Sequence, residues 1–182
     1  ANHGAIVSIE QLSGWTRSSI HKINTEQTSL ILKKTASSAE SLFYTHVAQQ
    51  LTPLGIFTPI IEQLVQTATA HWLLLEHIPL PFPRERWHSD AEVLSLLFRL
   101  HNSTNIHAYE NVFVPAWPAA MTDHALSLLH AQHMATPLAA QLFAHAQRES
   151  AAVLADQCWI CGDPNPKNFG LRANGQLVWF DW

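Results

Sequence analysis

Apolar and polar positions change their period several times along the chain, and each change marks an element. Residues 5–11 (AIVSIEQ) alternate, which suits a half-buried strand; a small polar stretch follows, LSGWTRSS at 12–19. Residues 20–23 (IHKI) read as a second strand, 24–27 as a polar turn, and 29–33 (SLILK) as a third strand ending in lysine, so the three predict an antiparallel meander. The spacing then becomes helical over 37–51, with Leu42, Phe43, His46, Val47 and Leu51 on the expected buried face and Ser37 and Glu40 at capping-box spacing. After a connection at 53–59, two more strands are expected at 60–65 and 70–75. The proline-dense PLPFPRERW denies both a helix and a central strand, and predicts a linker. Beyond it the pattern is helical. Residues 90–102 form an amphipathic helix capped by Ser89 or Asp90, with Val93, Leu94, Leu96, Leu97 and Leu100 inward, and further helices are expected at 119–134 and 137–154. A turn at Asn174-Gly175 precedes a last strand at 177–180.

Strands followed by helices predict an α+β chain in two lobes: an antiparallel sheet with one helix over 1–78, and a mostly helical lobe over 79–182. Composition narrows the function. Of the 182 residues 47% are hydrophobic and only 13% charged, with a formal charge of -4 and scattered Lys and Arg, which argues against nucleic-acid binding. No stretch is long and apolar enough to predict a membrane span and no export pattern opens the chain, so a cytoplasmic protein is expected. The seven tryptophans read as core and cleft-wall residues, since no basic charge accompanies them.

Candidate chemistry concentrates in CGDPNPKNFGLRANGQLVWFDW, from Cys161 to Trp182. Asp163 heads a proline-rich loop, Asn168 follows five residues later, and Asp181 comes thirteen after that, beyond the hairpin. Two carboxylates and a carboxamide so spaced can surround one divalent cation and one acceptor hydroxyl, as phosphoryl transfer requires. Upstream, Lys33 and Lys34 are adjacent, so on a strand they face opposite ways and only one can enter a cleft. Taken alone, a lysine at a strand end is more often a solvated surface group. Glu40 either caps its helix or reaches Lys33 as an ion-pair partner. Gly14 and the amides of Thr16 to Ser18 and Ser19 could face a triphosphate, or form an ordinary hairpin loop. Cys158 and Cys161 (CxxC) and the pair His130 and His133 would make a zinc site only with further ligands.

With Lys33, Glu40, a linker after Glu76, CGDPNPKN and the closing WFDW, the chain resembles the aminoglycoside phosphotransferase and choline kinase-like family, within the protein-kinase-like fold. The family pattern is roughly HGDxxxxN, often with a proline three residues after the aspartate, where Pro166 stands; Cys161 replaces the usual histidine. The resemblance implies an ATP- or GTP-dependent phosphotransferase moving the γ-phosphate to a hydroxyl of an aminoglycoside-, choline- or sugar-like small molecule. It implies Asp163 as the catalytic base, Asn168 and Asp181 as Mg2+ ligands, and Lys33 with Glu40 on the α- and β-phosphates. Gly14 and Ser18 would then cover the phosphates, and the backbone of Glu76 to Ile78 would meet the adenine. Family members continue well past the Asp-Trp, so the C-lobe is expected to be truncated here. Cys161, the sparse glycine loop and the short C-lobe motivate the alternative of a catalytically inactive kinase-like module that binds a nucleotide or a protein.

Overall fold

The computed structural model describes residues 3–12, 19–104, 106–107, 116–154, 158–160, 163–180 and 182. Two compact units divide the chain: Ala1–Asn111 with Cys158–Trp182, and Val112–Gln157.

The first unit opens with an antiparallel sheet of β1 (Ile6–Leu12), β2 (Ser19–Thr25), β3 (Ser29–Thr35), β4 (Ile61–Gln66) and β5 (His71–Glu76), in the order β1-β2-β3-β5-β4. The expected turn at 24–27 begins later, because β2 runs on to Thr25. There the threonine hydroxyl accepts from the amides of Gln27 and Thr28, at 3.3 and 3.1 Å, and closes the turn. The expectation that the first strand is half-buried fails: Ile6, Val7 and Ile9 are all exposed. β1 is an edge strand, while the buried side chains of the sheet, Leu30, Leu73 and Leu75, lie on its middle strands.

The helix between β3 and β4 is one run in three pieces: α1 (Ala39–Leu42), a π-helical turn (Phe43–Val47) and α2 (Ala48–Leu51). The π turn inserts a residue into the 3.6 period. Burial falls on Phe43, Tyr44, Val47, Ala48 and Leu51, Leu42 is half-buried, and His46, expected inside, is exposed. The N-cap is Ser38 rather than Ser37 and makes no side-chain cap bond; Ser37 Oγ accepts from Ala39 N at 3.2 Å and Ser37 N donates to Thr35 Oγ1 at 3.1 Å, so the capping box expected of Ser37 and Glu40 does not form. The apolar face packs in one core with Ile56, Leu73 and Leu75.

Leu96 and Leu100 of α3 (Ala91–His101) join that core, with Val93 and Leu97 half-buried against it. These four sit at the spacing of one helical stripe. Leu94 lies off the stripe and is exposed, contrary to the sequence expectation. Asp90 caps the helix, accepting from the amides of Glu92 and Val93 at 3.1 and 3.0 Å, and is itself held by Arg86 Nε at 2.7 Å.

A second sheet, β6 (Leu80–Pro81), β7 (Phe169–Leu171) and β8 (Leu177–Trp179), pairs the chain just after β5 with the C-terminal hairpin. The proline-rich passage therefore supplies a strand after all. Pro81 is tolerated because β6 lies at the edge of the sheet. Gly175, at φ +83°, provides the left-handed residue that the β7–β8 turn needs. Phe169, Leu177 and Trp179 are buried in the same core as the helix and the first sheet.

The second unit contains α4 (Ala119–Ala131) and α5 (Pro137–Val153). Thr136 caps α5 by accepting from Ala139 N at 3.1 Å, and Thr122 joins the helices by donating to Gln147 Oε1 at 3.1 Å while accepting from Trp117 Nε1 at 2.9 Å. α4 ends before His133, which has φ +56°, so His130 and His133 do not share a helical face. Among the described residues no helix is long and apolar enough to cross a membrane.

Candidate functional site

The strand geometry separates the two lysines. Lys33 lies opposite Ile20 of β2 and Leu73 of β5, and its ammonium meets Glu40 of α1 at 2.8 Å, with only 12% and 10% of the two side chains exposed. Lys34, on the other face, is exposed and holds its ammonium 5.0 Å from the centroid of the Trp72 ring. Glu40 is thus an ion-pair partner rather than a helix cap. A bond between two charges this dehydrated holds both in place and orients the ammonium.

The loop at 163–168 is knotted by its own polar side chains. Asn165 Oδ1 accepts from Lys167 N at 3.0 Å, starting a single 3₁₀ turn (Pro166–Asn168) with the proline at its first position. Asp163 Oδ1 accepts from Asn165 N at 3.2 Å. Asn168 Nδ2 donates both to Asp163 Oδ2 and to the Asp163 carbonyl, each at 3.1 Å. Asp163 and Asn168 are therefore brought together, with the carboxylate exposed to solvent. Because both amide bonds go to Asp163, Asn168 Oδ1 has no hydrogen-bond partner among the described residues. An uncharged hard oxygen beside a carboxylate is a donor set that suits Mg2+.

Gly14, Ser18, Asp181 and Cys161 lie outside the described residues. Both chain neighbours of Asp181 are held firmly. Phe180 N donates to the Asn168 carbonyl at 2.9 Å. The Trp182 ring stacks on Phe43 at 4.7 Å and 9°, meets Trp179 at 4.5 Å, and donates from Nε1 to the Trp179 carbonyl at 2.9 Å. Rings therefore run from the Glu40 helix to the hairpin. Sequence reasoning placed these aromatics in a core without foreseeing this link, whose partners are far apart along the chain.

At the end of β5, the amide of Glu76 donates to Ile60 O at 2.8 Å, so that N–H is already engaged. Its carboxylate takes two bonds from Arg172, Nε to Oε1 and Nη2 to Oε2, each at 2.7 Å, and a third from Ile60 N at 3.1 Å. Burial pushes the Glu76 carboxyl up, but the bonds from Arg172 and Ile60 outweigh it and hold the carboxyl below the usual range; the same pair raises Arg172. Burial, and then the charge of Lys22, lower the neighbouring His77. Ile78 packs over Gly170, where an added Cβ would lie 2.7 Å from Ile78 Cγ2. Arg172 was not singled out from the sequence, since its partner is 96 residues away. Among the described residues no three His, Cys, Asp or Glu side chains gather as a metal-binding group.

No protein-family model matches the sequence. No curated protein matches it either. Solved structures do match in fold. Aminoglycoside phosphotransferase APH(4)-Ia superposes with a TM-score of 0.62 at 10% identity, over 98% of this chain and 67% of its own. Spectinomycin phosphotransferase APH(9)-Ia, in complex with ADP and spectinomycin, does so at 0.60 and 13%, over 98% and 64%. The fold is protein-kinase-like. A Haemophilus somnus 129PT protein described as a fructosamine-3-kinase shares this kinase-like fold, at a TM-score of 0.53 and 15% identity over 98% of this chain and 66% of its own. The chain spans 64–67% of the length of these three structures. Within the kinase-like fold, the five-stranded sheet with its helix carries Lys33 and Glu40, and the 163–168 loop leads into the β7–β8 hairpin.

Proposed function

We propose that the chain is the nucleotide-binding and catalytic part of an ATP- or GTP-dependent small-molecule kinase. The observation that carries this reading is the nearly buried Lys33–Glu40 pair, at 2.8 Å, in the same compact unit as the bonded Asp163–Asn168 loop. A surface lysine has no reason to be dehydrated and oriented in this way.

In this reading Lys33, oriented by Glu40, holds the α- and β-phosphates, and the segment with Gly14 and Ser18 covers them. The Glu76 to Ile78 stretch lines the adenine; with the Glu76 amide bonded to Ile60, hydrogen bonding falls to the backbone beyond it. Asn168 Oδ1 and Asp181 would hold Mg2+, which when bound neutralises charge on the phosphates. Asp163 accepts the proton of the acceptor hydroxyl as that oxygen bonds to the γ-phosphorus. The bond from the γ-phosphorus to the bridging oxygen breaks, and the nucleoside diphosphate departs. Positioning and charge account for most of such catalysis, so this small set of side chains suffices. The division near residue 78 into a nucleotide lobe and a catalytic lobe, and a cytoplasmic location, belong to the same proposal.

Spectinomycin, which APH(9)-Ia holds together with ADP, is the first acceptor to try, with other aminoglycosides, sugars and amino alcohols beside it. The test is phosphate transfer from Mg-ATP and Mg-GTP across such a panel, with Asp163→Ala as control. Turnover that Asp163→Ala abolishes supports the kinase. Nucleotide binding without turnover on any acceptor would instead make the chain an inactive kinase-like binding module.

A further inference from the structure

The Lys33 half and the Asp163–Asn168 half of the site stand on different elements, and their spacing needs a fixed strut. The second sheet is a weak one by itself. β6 contributes two residues and β7 and β8 three each. Arg172, the first residue after β7, closes the gap. Its guanidinium binds both Glu76 oxygens at 2.7 Å and the Thr58 carbonyl at 3.2 Å, and donates to Gln176 Oε1. Four segments meet at this one side chain: the end of β5, the stretch leading into β4, the end of β7 and the start of β8. Both partners are mostly shielded from solvent, at 19% and 23% exposure.

We infer that Arg172 is a positioning residue whose forked pair with Glu76 sets the spacing between Lys33 and the Asp163–Asn168 loop. Three strand residues lie between Asn168 and Arg172, about 13 Å of extended chain from one to the other. On the other side, Glu76 lies three residues from Leu73, which is opposite Lys33 on β3. The path from loop to lysine through Arg172 is thus two short strands joined by this bidentate contact, beside the β6–β7 pairing, the bond from Trp179 N to the Phe57 carbonyl and the Trp182–Phe43 stack. A planar fork can fix both distance and angle, which a point charge cannot. A displacement of about 1 Å at a phosphate-transfer site is worth up to about a hundredfold in rate.

The inference rests on the nucleotide-binding reading, and the experiment separates the two. Calorimetry measures the Kd of ATP with and without Mg2+ for the wild-type chain, Arg172→Lys and Arg172→Met. In the wild type, Mg2+ tightens ATP because the lysine half and the loop half hold opposite ends of one ligand. In Arg172→Lys the metal-free Kd stays within about twofold, whereas the tightening by Mg2+ shrinks by about fivefold or more, the lower end of ordinary coupling between sites. Arg172→Met loses at least as much; if it does not fold, Arg172→Lys decides. A Mg2+ effect in Arg172→Lys equal to that of the wild type overturns the positioning role and leaves the kinase reading standing. A wild-type chain that binds no ATP, with or without Mg2+, overturns both. A variant that only melts earlier, with its Mg2+ effect intact, shows a purely structural bond and also overturns the inference.

Discussion

Lys33 and Glu40 show how much one contact decides at the scale of a residue. The local pattern left Glu40 with two roles, cap or partner, because both are satisfied by the same carboxylate seven positions from the lysine. The sheet decides, since a dehydrated ammonium stabilises a nearby carboxylate more than a solvated helix end does. Glu40→Ala is expected to cost about 2 kcal/mol in urea unfolding, the range for a hydrogen bond to a charged group. It should also weaken nucleotide binding, whereas Lys34→Ala, on the other face, should leave that binding unchanged. Glu76 and His77 give a pH signature. Both are lowered in the folded chain, so each contributes stability that is present above its unfolded pKa and is lost as pH falls through the folded one. Stability is therefore expected to decline first below about pH 6.5 through His77 and again below about pH 4.3 through Glu76. Measured as urea midpoint against pH, His77→Gln removes the upper step and Glu76→Gln flattens the lower one.

At the scale of elements, periodicity located the strands and helices well but misjudged their faces wherever the period was interrupted. His46 followed the 3.6 pattern on paper, and the π turn at Phe43–Val47 moved it to the surface. Leu94 is apolar but off the stripe, and nothing in a sequence window tells the rim of a helix face from its centre. β6 was hidden by its prolines, which are excluded only from strands paired on both sides. The hairpin offers a sharp test. An alanine Cβ at Gly170 would stand 2.7 Å from Ile78 Cγ2 and 3.0 Å from the Leu80 carbonyl, which is backbone and cannot swing away. Gly170→Ala is expected to destabilise by about 1–3 kcal/mol, as overpacking does. Ile78→Ala in the same chain removes Cγ2 but not the Leu80 carbonyl, so it should recover only part, measured by chemical denaturation. Gly175→Ala, with nothing within 4 Å, carries only the strain of its positive φ, of order 1 kcal/mol.

At the scale of the whole molecule, binding and stability are linked. Mg-ATP at a hundred times its Kd is expected to stabilise the chain by about 2.7 kcal/mol. A thermal melt checks this, and Asp163→Ala should retain much of the shift while losing transfer. By itself the sequence determined the kind of chain this is. Its strand and helix order, the Asp163-to-Asn168 spacing and a lysine on the third strand depend on local periods and short loops, which are written in neighbouring residues; β3 runs two residues beyond the expected end at Lys33, to Thr35. Only the tertiary structure decided which lysine meets Glu40, that Asn168 turns its amide toward Asp163, and that Arg172 pairs with Glu76. Arg172 and Glu76 are 96 residues apart, so no window of sequence contains both. Lys33 with Glu40 and Asp163 with Asn168 lie seven and five residues apart, yet the window leaves each side chain more than one partner, and which one it meets depends on the face that a strand or helix buries and on how a loop turns.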